Sequence, residues 1–121
     1  MKFEFNQMPD TVIPRFKGGE GQMMAKMYTD SNNKILLGTL APGCTVGLHT
    51  HDTSSEIIYI LSGTGKVLYD GECEPLVPGD CHYCPQGHEH SLINDNETGD
   101  LVFFAVVPEH GVASSTSFVS P

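Results

Sequence analysis

Turn-forming residues recur along this chain at short, regular intervals, and this regularity limits what the chain can fold into. Dipeptides such as Pro42-Gly43, Asp70-Gly71 and Pro78-Gly79 separate runs spaced by about 8–12 residues, as in all-β sandwiches and barrels. The runs are rich in β-branched and aromatic residues, and the clearest cover residues 34–40, 56–61, 64–69 and 101–107. No convincing long amphipathic helix interrupts them. The sequence therefore predicts an all-β sandwich or barrel, with a tight hairpin at Asp70-Gly71.

Two of these runs are apolar on both faces of the predicted strands. They cover residues 57–61 and 101–107, whereas an antiparallel strand with one face in water normally alternates apolar and polar residues. A second sheet would cover one face of each strand. We expect a second copy of the chain to cover the other face, and we therefore predict a homodimer.

Length and charge restrict the domain organisation and the partners. A chain of 121 residues has the size of one domain, which we expect to span residues 1–121, with a tail at 111–121 that is mobile or docks on a partner. Fifteen acidic residues against six basic ones give a net charge of −9, which argues against nucleic acid or an anionic membrane as the partner. The chain has no apolar stretch of about 18 residues that could span a membrane. Its first ten residues lack the apolar core of a signal peptide, so we expect a cytoplasmic protein with reduced cysteines.

The histidines are the residues that point to chemistry. Six occur in the chain, and five of them lie between positions 49 and 90. His49 and His51 are two residues apart on a predicted strand, so their side chains share a face. Glu56 opens the next apolar run, and His90 opens another short strand. Three neutral imidazoles and one carboxylate suit a divalent transition metal ion.

The spacing around these residues resembles a known family. The positions that carry the resemblance are Gly43, His49, His51, Glu56 and Gly63 in a first motif, and Gly79, Pro85, Gly87, His90 and Asn94 in a second. Both motifs match those of the cupins throughout, and the short spacer between them is similar to that of compact single-domain cupins. The resemblance implies a small jelly-roll barrel of two antiparallel sheets, with the motifs at 43–63 and 79–94.

The same resemblance implies that one metal ion is held by His49, His51, Glu56 and His90. Sites of this type use Mn, Fe, Ni, Zn, Co or Cu, so the ligand set does not identify the metal. His88 forms a second His-x-His pair with His90 and could replace it as a ligand. The motif favours His90, which leaves His88 at the surface or behind the ligands.

His82 is the candidate catalytic residue. It shares one face of a predicted strand with Asp80 and Cys84, while Cys81 and Tyr83 take the other face. If the first face lines the barrel, His82 could transfer a proton near the metal; if it faces outward, it is an ordinary polar residue. The two cysteines point to opposite faces, which favours packing over zinc or redox chemistry.

Arg15 and Lys17 form the only basic cluster, beside the glycine-rich residues 18–21. A glycine-rich stretch with two cations could bind an anion at the mouth of the barrel. The alternative is a solvated loop.

The function that these observations favour is that of a metalloenzyme. The ion would act as a Lewis acid on a small oxygen-rich metabolite, such as a sugar acid or a carboxylate, by isomerase, lyase or decarboxylase chemistry. The alternatives are a non-catalytic module or sensor that binds the metal or a metabolite, and an iron-dependent dioxygenase. An enzyme needs a proton carrier within reach of the metal, and the candidates are His82 and the tyrosines Tyr28, Tyr59 and Tyr83.

Overall fold

The computed structural model describes residues 1–112, and strands dominate this part of the chain. Two short 3₁₀ turns, Phe5–Gln7 and Phe16–Gly18, are its only helical elements. The ten strands are β1 (Thr11–Pro14), β2 (Gln22–Thr29), β3 (Asn33–Leu40), β4 (His49–Thr50), β5 (Glu56–Ser62), β6 (Gly65–Tyr69), β7 (Glu72–Leu76), β8 (Cys81–Cys84), β9 (Glu89–Ile93) and β10 (Leu101–Pro108). The expectation of an all-β chain with little helix is confirmed.

The strands form two antiparallel sheets, as the jelly-roll prediction requires. The larger sheet has six strands in the order β1-β2-β3-β10-β5-β8, and the smaller has four in the order β4-β9-β6-β7. Strands distant in sequence are neighbours in both sheets. This crossing topology places the two histidine segments, in β4 and β9, side by side.

The predicted hairpin joins β6 and β7. Tyr69 pairs with Glu72 across it, and the two residues between them, Asp70 and Gly71, have φ angles of 48° and 86°. Two successive left-handed residues define the type I′ turn that matches the twist of a β-hairpin. The Asp-Gly dipeptide is suited to this turn because both residues tolerate positive φ.

The core lies between the facing sides of the two sheets. Its largest fully buried apolar side chains are Phe103, Leu40, Ile58, Ile60, Leu92, Leu101 and Val67. Gly38 on β3 pairs with Phe103 on β10, and a Cβ atom at Gly38 would lie 2.4 Å from the Phe103 ring. The absence of a side chain at Gly38 therefore gives this ring its place in the core.

The apolar run 57–61 has one covered and one exposed face. Ile58 and Ile60 are buried between the sheets. Ile57, Tyr59 and Leu61, with Tyr83 on the neighbouring β8, form an exposed surface that we call the outer apolar face. The second sheet thus covers one side, as expected, and the homodimer remains a prediction attached to this face.

Two other expectations concern the ends of the chain and membranes. The predicted tail at 111–121 lies almost wholly outside the described residues. Within residues 1–112, no helix is long and apolar enough to cross a membrane.

Candidate metal centre

Three strands bring the predicted metal-binding residues together. His49 on β4 pairs directly with His90 on β9, and Glu56 is the first residue of β5. His51 was expected on the same strand as His49, but β4 ends at Thr50. Two backbone hydrogen bonds hold His51 in place. Its N–H donates to the His88 carbonyl, and its carbonyl accepts the N–H of Gly87.

The four side chains converge on one point, and we call them the His/Glu cluster (His49, His51, Glu56 and His90). The Nε2 atom of His51 lies 3.2 Å from that of His49 and 3.0 Å from that of His90. The Oε1 atom of Glu56 lies 3.2 Å from His51 Nε2 and 3.0 Å from His90 Nε2. All four ligand atoms are within 4.8 Å of one another, so a single ion could contact every one of them.

The outer nitrogen of each imidazole has its own partner. His49 Nδ1 lies 2.6 Å from the Gly47 carbonyl, which can only accept, so the proton of a neutral His49 is on Nδ1. His51 Nδ1 lies 2.8 Å from the Ser54 hydroxyl. His90 Nδ1 lies 3.0 Å from His82 Nε2. With the outer nitrogens donating, the lone pairs of all three Nε2 atoms face the centre, which is the arrangement that a metal site needs.

The protonation states of the cluster also fit a metal. Burial alone would raise the pKa of Glu56, but the neighbouring imidazoles of His51 and His90 outweigh burial and lower it to about 2, so this group is a carboxylate. Burial lowers the pKa of His49, which favours the neutral imidazole. Neutral imidazoles and an ionised carboxylate are borderline-to-hard ligands suited to divalent first-row metals. The residues present therefore fit the predicted cofactor without identifying the metal.

His82 faces the interior, but it lies behind the cluster. Its side chain is buried, and its Nε2 contacts the Nδ1 of His90, the nitrogen that points away from the other candidate ligands. Burial lowers the pKa of His82 to about 4, so this ring is neutral. The position is that of a group that orients His90; the catalytic role remains a prediction.

Cys81 and Cys84 lie on opposite faces of β8, as the strand alternation predicts. Cys84 is buried and Cys81 is exposed, so their thiols do point to opposite faces. Burial raises the pKa of the Cys84 thiol to about 12, and it stays protonated beside His82 and His90. His88 lies outside the cluster, 2.6 Å from the Asp70 carboxylate and 3.2 Å from the Tyr69 hydroxyl.

The cluster forms part of the wall of a cavity of about 370 Å³. Buried apolar side chains complete its inner wall: Met23, Leu36, Val46, Ile58, Leu92 and Phe103. More exposed residues form its rim, among them Phe16 and Lys17 from the second 3₁₀ turn and Lys34 from β3. Sequence reasoning missed Lys34, Ser54 and the apolar wall. The polar segment between His51 and Glu56 was the only signal for Ser54.

Comparison with known proteins agrees with this architecture. The family model described as the cupin domain matches residues 36–107, which is more than half of the chain. This chain belongs to the cupin family. The matched segment contains all four residues of the His/Glu cluster and His82.

A sequence match and a structural match of this cupin both come from Thermotoga maritima. An oxalate-binding protein is 38% identical over 101 residues, which cover 78% of this chain and 83% of the relative. The crystal structure of a predicted oxalate decarboxylase is 30% identical, with a TM-score of 0.83 over 90% of this chain and 99% of that one. KdgF from Halomonas, at 19% identity and a TM-score of 0.73 over 91% of this chain and 94% of its own, shares the fold.

Proposed function

We propose that this cupin binds one divalent transition metal ion through His49, His51, Glu56 and His90, and that the metal-loaded site binds a small carboxylic acid. The observation that carries the proposal is the convergence of three Nε2 atoms and one carboxylate oxygen at the wall of a cavity. Oxalate is the first acid to test, because both Thermotoga matches are named for oxalate.

The bound ion would supply a positive charge and open coordination positions for the oxygens of the acid. The chain's own residues would prepare this site. Gly47 and Ser54 bind the outer nitrogens of His49 and His51, which fixes their orientation before the ion arrives. The buried apolar wall limits the number of water molecules beside the ion, which strengthens its interaction with a carboxylate.

Binding is better supported than catalysis because the predicted proton carriers do not line the cavity. Tyr59 and Tyr83 are 42% and 56% exposed on the outer apolar face. The Tyr28 hydroxyl lies 3.1 Å from the Asp30 carboxylate, and Tyr28 is not a wall residue. His82 lies on the far side of His90. None of these four side chains reaches the position of a metal-bound acid.

Decarboxylation is the second candidate. It is favoured by the name of the structural relative and by the carboxylates of Asp52 and Glu109 at the rim of the cavity, which could exchange a proton with a bound acid. The isomerase, lyase, dioxygenase and sensor hypotheses keep their basis in the cupin resemblance alone. The single domain, the cytoplasmic location and the homodimer also remain predictions.

The test is the metal content of untagged protein purified without chelators, measured by inductively coupled plasma mass spectrometry. The variants are His49→Ala/His51→Ala, which removes two candidate ligands, and His88→Ala, which removes a histidine outside the cluster. We expect near-stoichiometric metal in the wild-type protein and in His88→Ala, and its loss in the double variant. Equal metal in all three proteins would place the ion elsewhere and refute the site.

Calorimetric titration of the metal-loaded protein with oxalate then tests the ligand. Heat of binding that disappears in the double variant supports a metal-dependent carboxylate site. An assay for carbon dioxide and formate separates the two candidate functions, because only the decarboxylase consumes the oxalate. Failure of metal-loaded protein to bind oxalate or any other carboxylate would remove the acid from the proposal.

A further inference from the structure

Two lysines at the rim of the cavity have no acidic partner. Lys17 and Lys34 both line the cavity that contains the His/Glu cluster. Within residues 1–112, neither ammonium group is within 4.0 Å of a carboxylate, whereas Lys2, Lys26 and Lys66 each form an ion pair. Even in a chain with a net charge of −9, two cations that form no ion pair at one cavity could bind an anion.

The two lysines share an aromatic neighbour, Phe16. Lys17 Nζ lies 5.5 Å and Lys34 Nζ 5.9 Å from the centre of the Phe16 ring. They come from separate parts of the chain, a 3₁₀ turn and strand β3. A cation near an aromatic face is weakly stabilised, so the ring holds both ammonium groups without neutralising them.

The turn that carries Lys17 is fixed against the candidate metal centre. Arg15 and Lys17 have φ angles of 49° and 56°, a strained conformation for residues with side chains. The Gly47 N–H donates to the Phe16 carbonyl at 2.9 Å. A Cβ atom on Gly47 would lie 2.0 Å from the Lys17 carbonyl oxygen, so only glycine permits this approach. The Gly47 carbonyl in turn accepts from His49, which links the rim directly to the cluster.

The carboxylates of the rim are less available than the lysines. Asp30 accepts hydrogen bonds from the backbone N–H groups of Asn32 and Asn33, and Glu109 accepts one from Gly111. Their negative charges are thus partly satisfied within their own loops. Asp52 is the remaining acidic residue of the rim.

The cavity is larger than oxalate needs. At about 30 Å³ for each water molecule in the liquid, a space of 370 Å³ would hold about a dozen waters. Each water has one non-hydrogen atom, so this is roughly twice the number of carbon and oxygen atoms in oxalate. The same cavity is also lined by the apolar wall that includes Met23, Leu36 and Phe103. This wall suits a hydrocarbon segment better than a chain of hydroxyl groups.

We propose that this cavity binds an elongated aliphatic dicarboxylate, with one carboxylate at the His/Glu cluster and the other at Lys17 and Lys34. The inference rests on the proposed function, because the first carboxylate would be held by the metal ion. It adds the class of ligand and assigns the basic, glycine-rich segment to ligand recognition. The middle of the ligand packs against the apolar wall.

The experiment is calorimetric titration of the metal-loaded protein with oxalate, succinate, glutarate and adipate, and with hexanoate as a monocarboxylate. The test variant is Lys17→Gln/Lys34→Gln. Lys2→Gln/Lys66→Gln is the matched control, because it removes the same charge at residues that do not line the cavity. Thermal unfolding of each protein confirms that the variants fold.

We expect at least one of the longer dicarboxylates to bind more tightly than oxalate. Each lysine should increase the affinity for that dicarboxylate by about fivefold, which is the upper end of the range for an exposed ion pair. The double variant should therefore bind that dicarboxylate about 25-fold more weakly if the two free energies add. Its affinity for hexanoate should change little. The control variant should bind every acid as the wild type does.

Two results would overturn the inference, and they differ in what else they remove. If oxalate binds more tightly than every longer acid and the lysine variant changes nothing, the elongated ligand is refuted while the metal-dependent carboxylate site stands. If the metal-loaded protein binds none of the acids, the proposed function fails together with the inference.

Discussion

Replacing His82 by leucine tests whether this residue orients His90 or carries protons. The His82 Nε2 atom lies 3.0 Å from His90 Nδ1, and the two side chains are 6% and 1% exposed. With the Nε2 lone pair of His90 directed at the cluster, its Nδ1–H donates to His82. In His82→Leu, the His90 donor would remain buried without this partner. A buried unsatisfied polar group costs about 1–3 kcal/mol.

The effect on metal binding follows from the same hydrogen bond. An imidazole that binds a cation through Nε2 is a stronger donor at Nδ1, so losing the acceptor destabilises the metal-loaded protein more than the metal-free one. Removing such an outer partner typically lowers metal affinity by about 10–100-fold, or about 1.4–2.7 kcal/mol. This range lies within the cost of the unsatisfied donor.

The assay is a competition titration with a chromophoric chelator, using the metal that copurifies with the protein. His82→Gln restores an acceptor and should recover part of the affinity, whereas His88→Leu, which removes a histidine outside the cluster, should change it by less than about threefold. Wild-type affinity in His82→Leu would refute the orienting role. If that variant also lost a measured turnover at full metal content, the catalytic prediction for His82 would stand instead.

The remaining predictions concern the thiols, the barrel and the assembly. In the native protein at pH 8, a thiol reagent should modify the exposed Cys73 and Cys81 quickly. It should modify Cys44 and Cys84 only after unfolding, because both are buried and the pKa of Cys84 is raised to about 12. Fast modification of all four thiols would contradict this. Asn94→Ala should lower the free energy of unfolding in urea by about 1–3 kcal/mol, because the buried amide donates to two backbone carbonyls; an unchanged midpoint would show that these bonds contribute nothing. Light scattering should give twice 13.1 kDa if the outer apolar face pairs two copies, and a monomer mass would refute the homodimer.

The cluster could be predicted because its residues follow local rules. Two histidines separated by one residue share a face in any extended segment, and the pairing of β4 with β9 adds His90 opposite His49. The strand β4 is only two residues long, yet the extended chain still directs His51 to the same place. The turn residues were equally informative, since Asp70-Gly71 fits a single type of hairpin.

The inward direction of His82 could not be read from the sequence, because it depends on register. His82 pairs with Ile58, and paired residues on neighbouring strands lie on the same face of a sheet. Ile58 is buried, so His82 is buried with it. A shift of one residue would have exposed His82, and nothing within β8 itself distinguishes the two registers.

The wall of the cavity was hidden for a related reason. Met23 and Leu36 lie on β2 and β3, which form a hairpin, but Phe103 lies on β10, which becomes a neighbour of β3 only through the order of the larger sheet. Lys34 enters the rim for the same reason, because it ends up beside Phe16 through folding and not through spacing. A sequence pattern readily predicts which face of a strand a residue occupies. It predicts much less readily which distant strand that residue will contact.

Gly47 joins the two parts of the proposed site, and this connection has a thermodynamic consequence. Its N–H holds the turn that carries Lys17, and its carbonyl holds the ring of His49. A dicarboxylate that contacts both the lysines and the metal would stabilise the two ends of this connection together. Binding free energies are reciprocal, so any factor by which the metal tightens the acid must equal the factor by which the acid tightens the metal. A small acid that contacts only the metal would not contact Lys17. The strained backbone at Arg15 and Lys17 would then contribute nothing to binding of the acid.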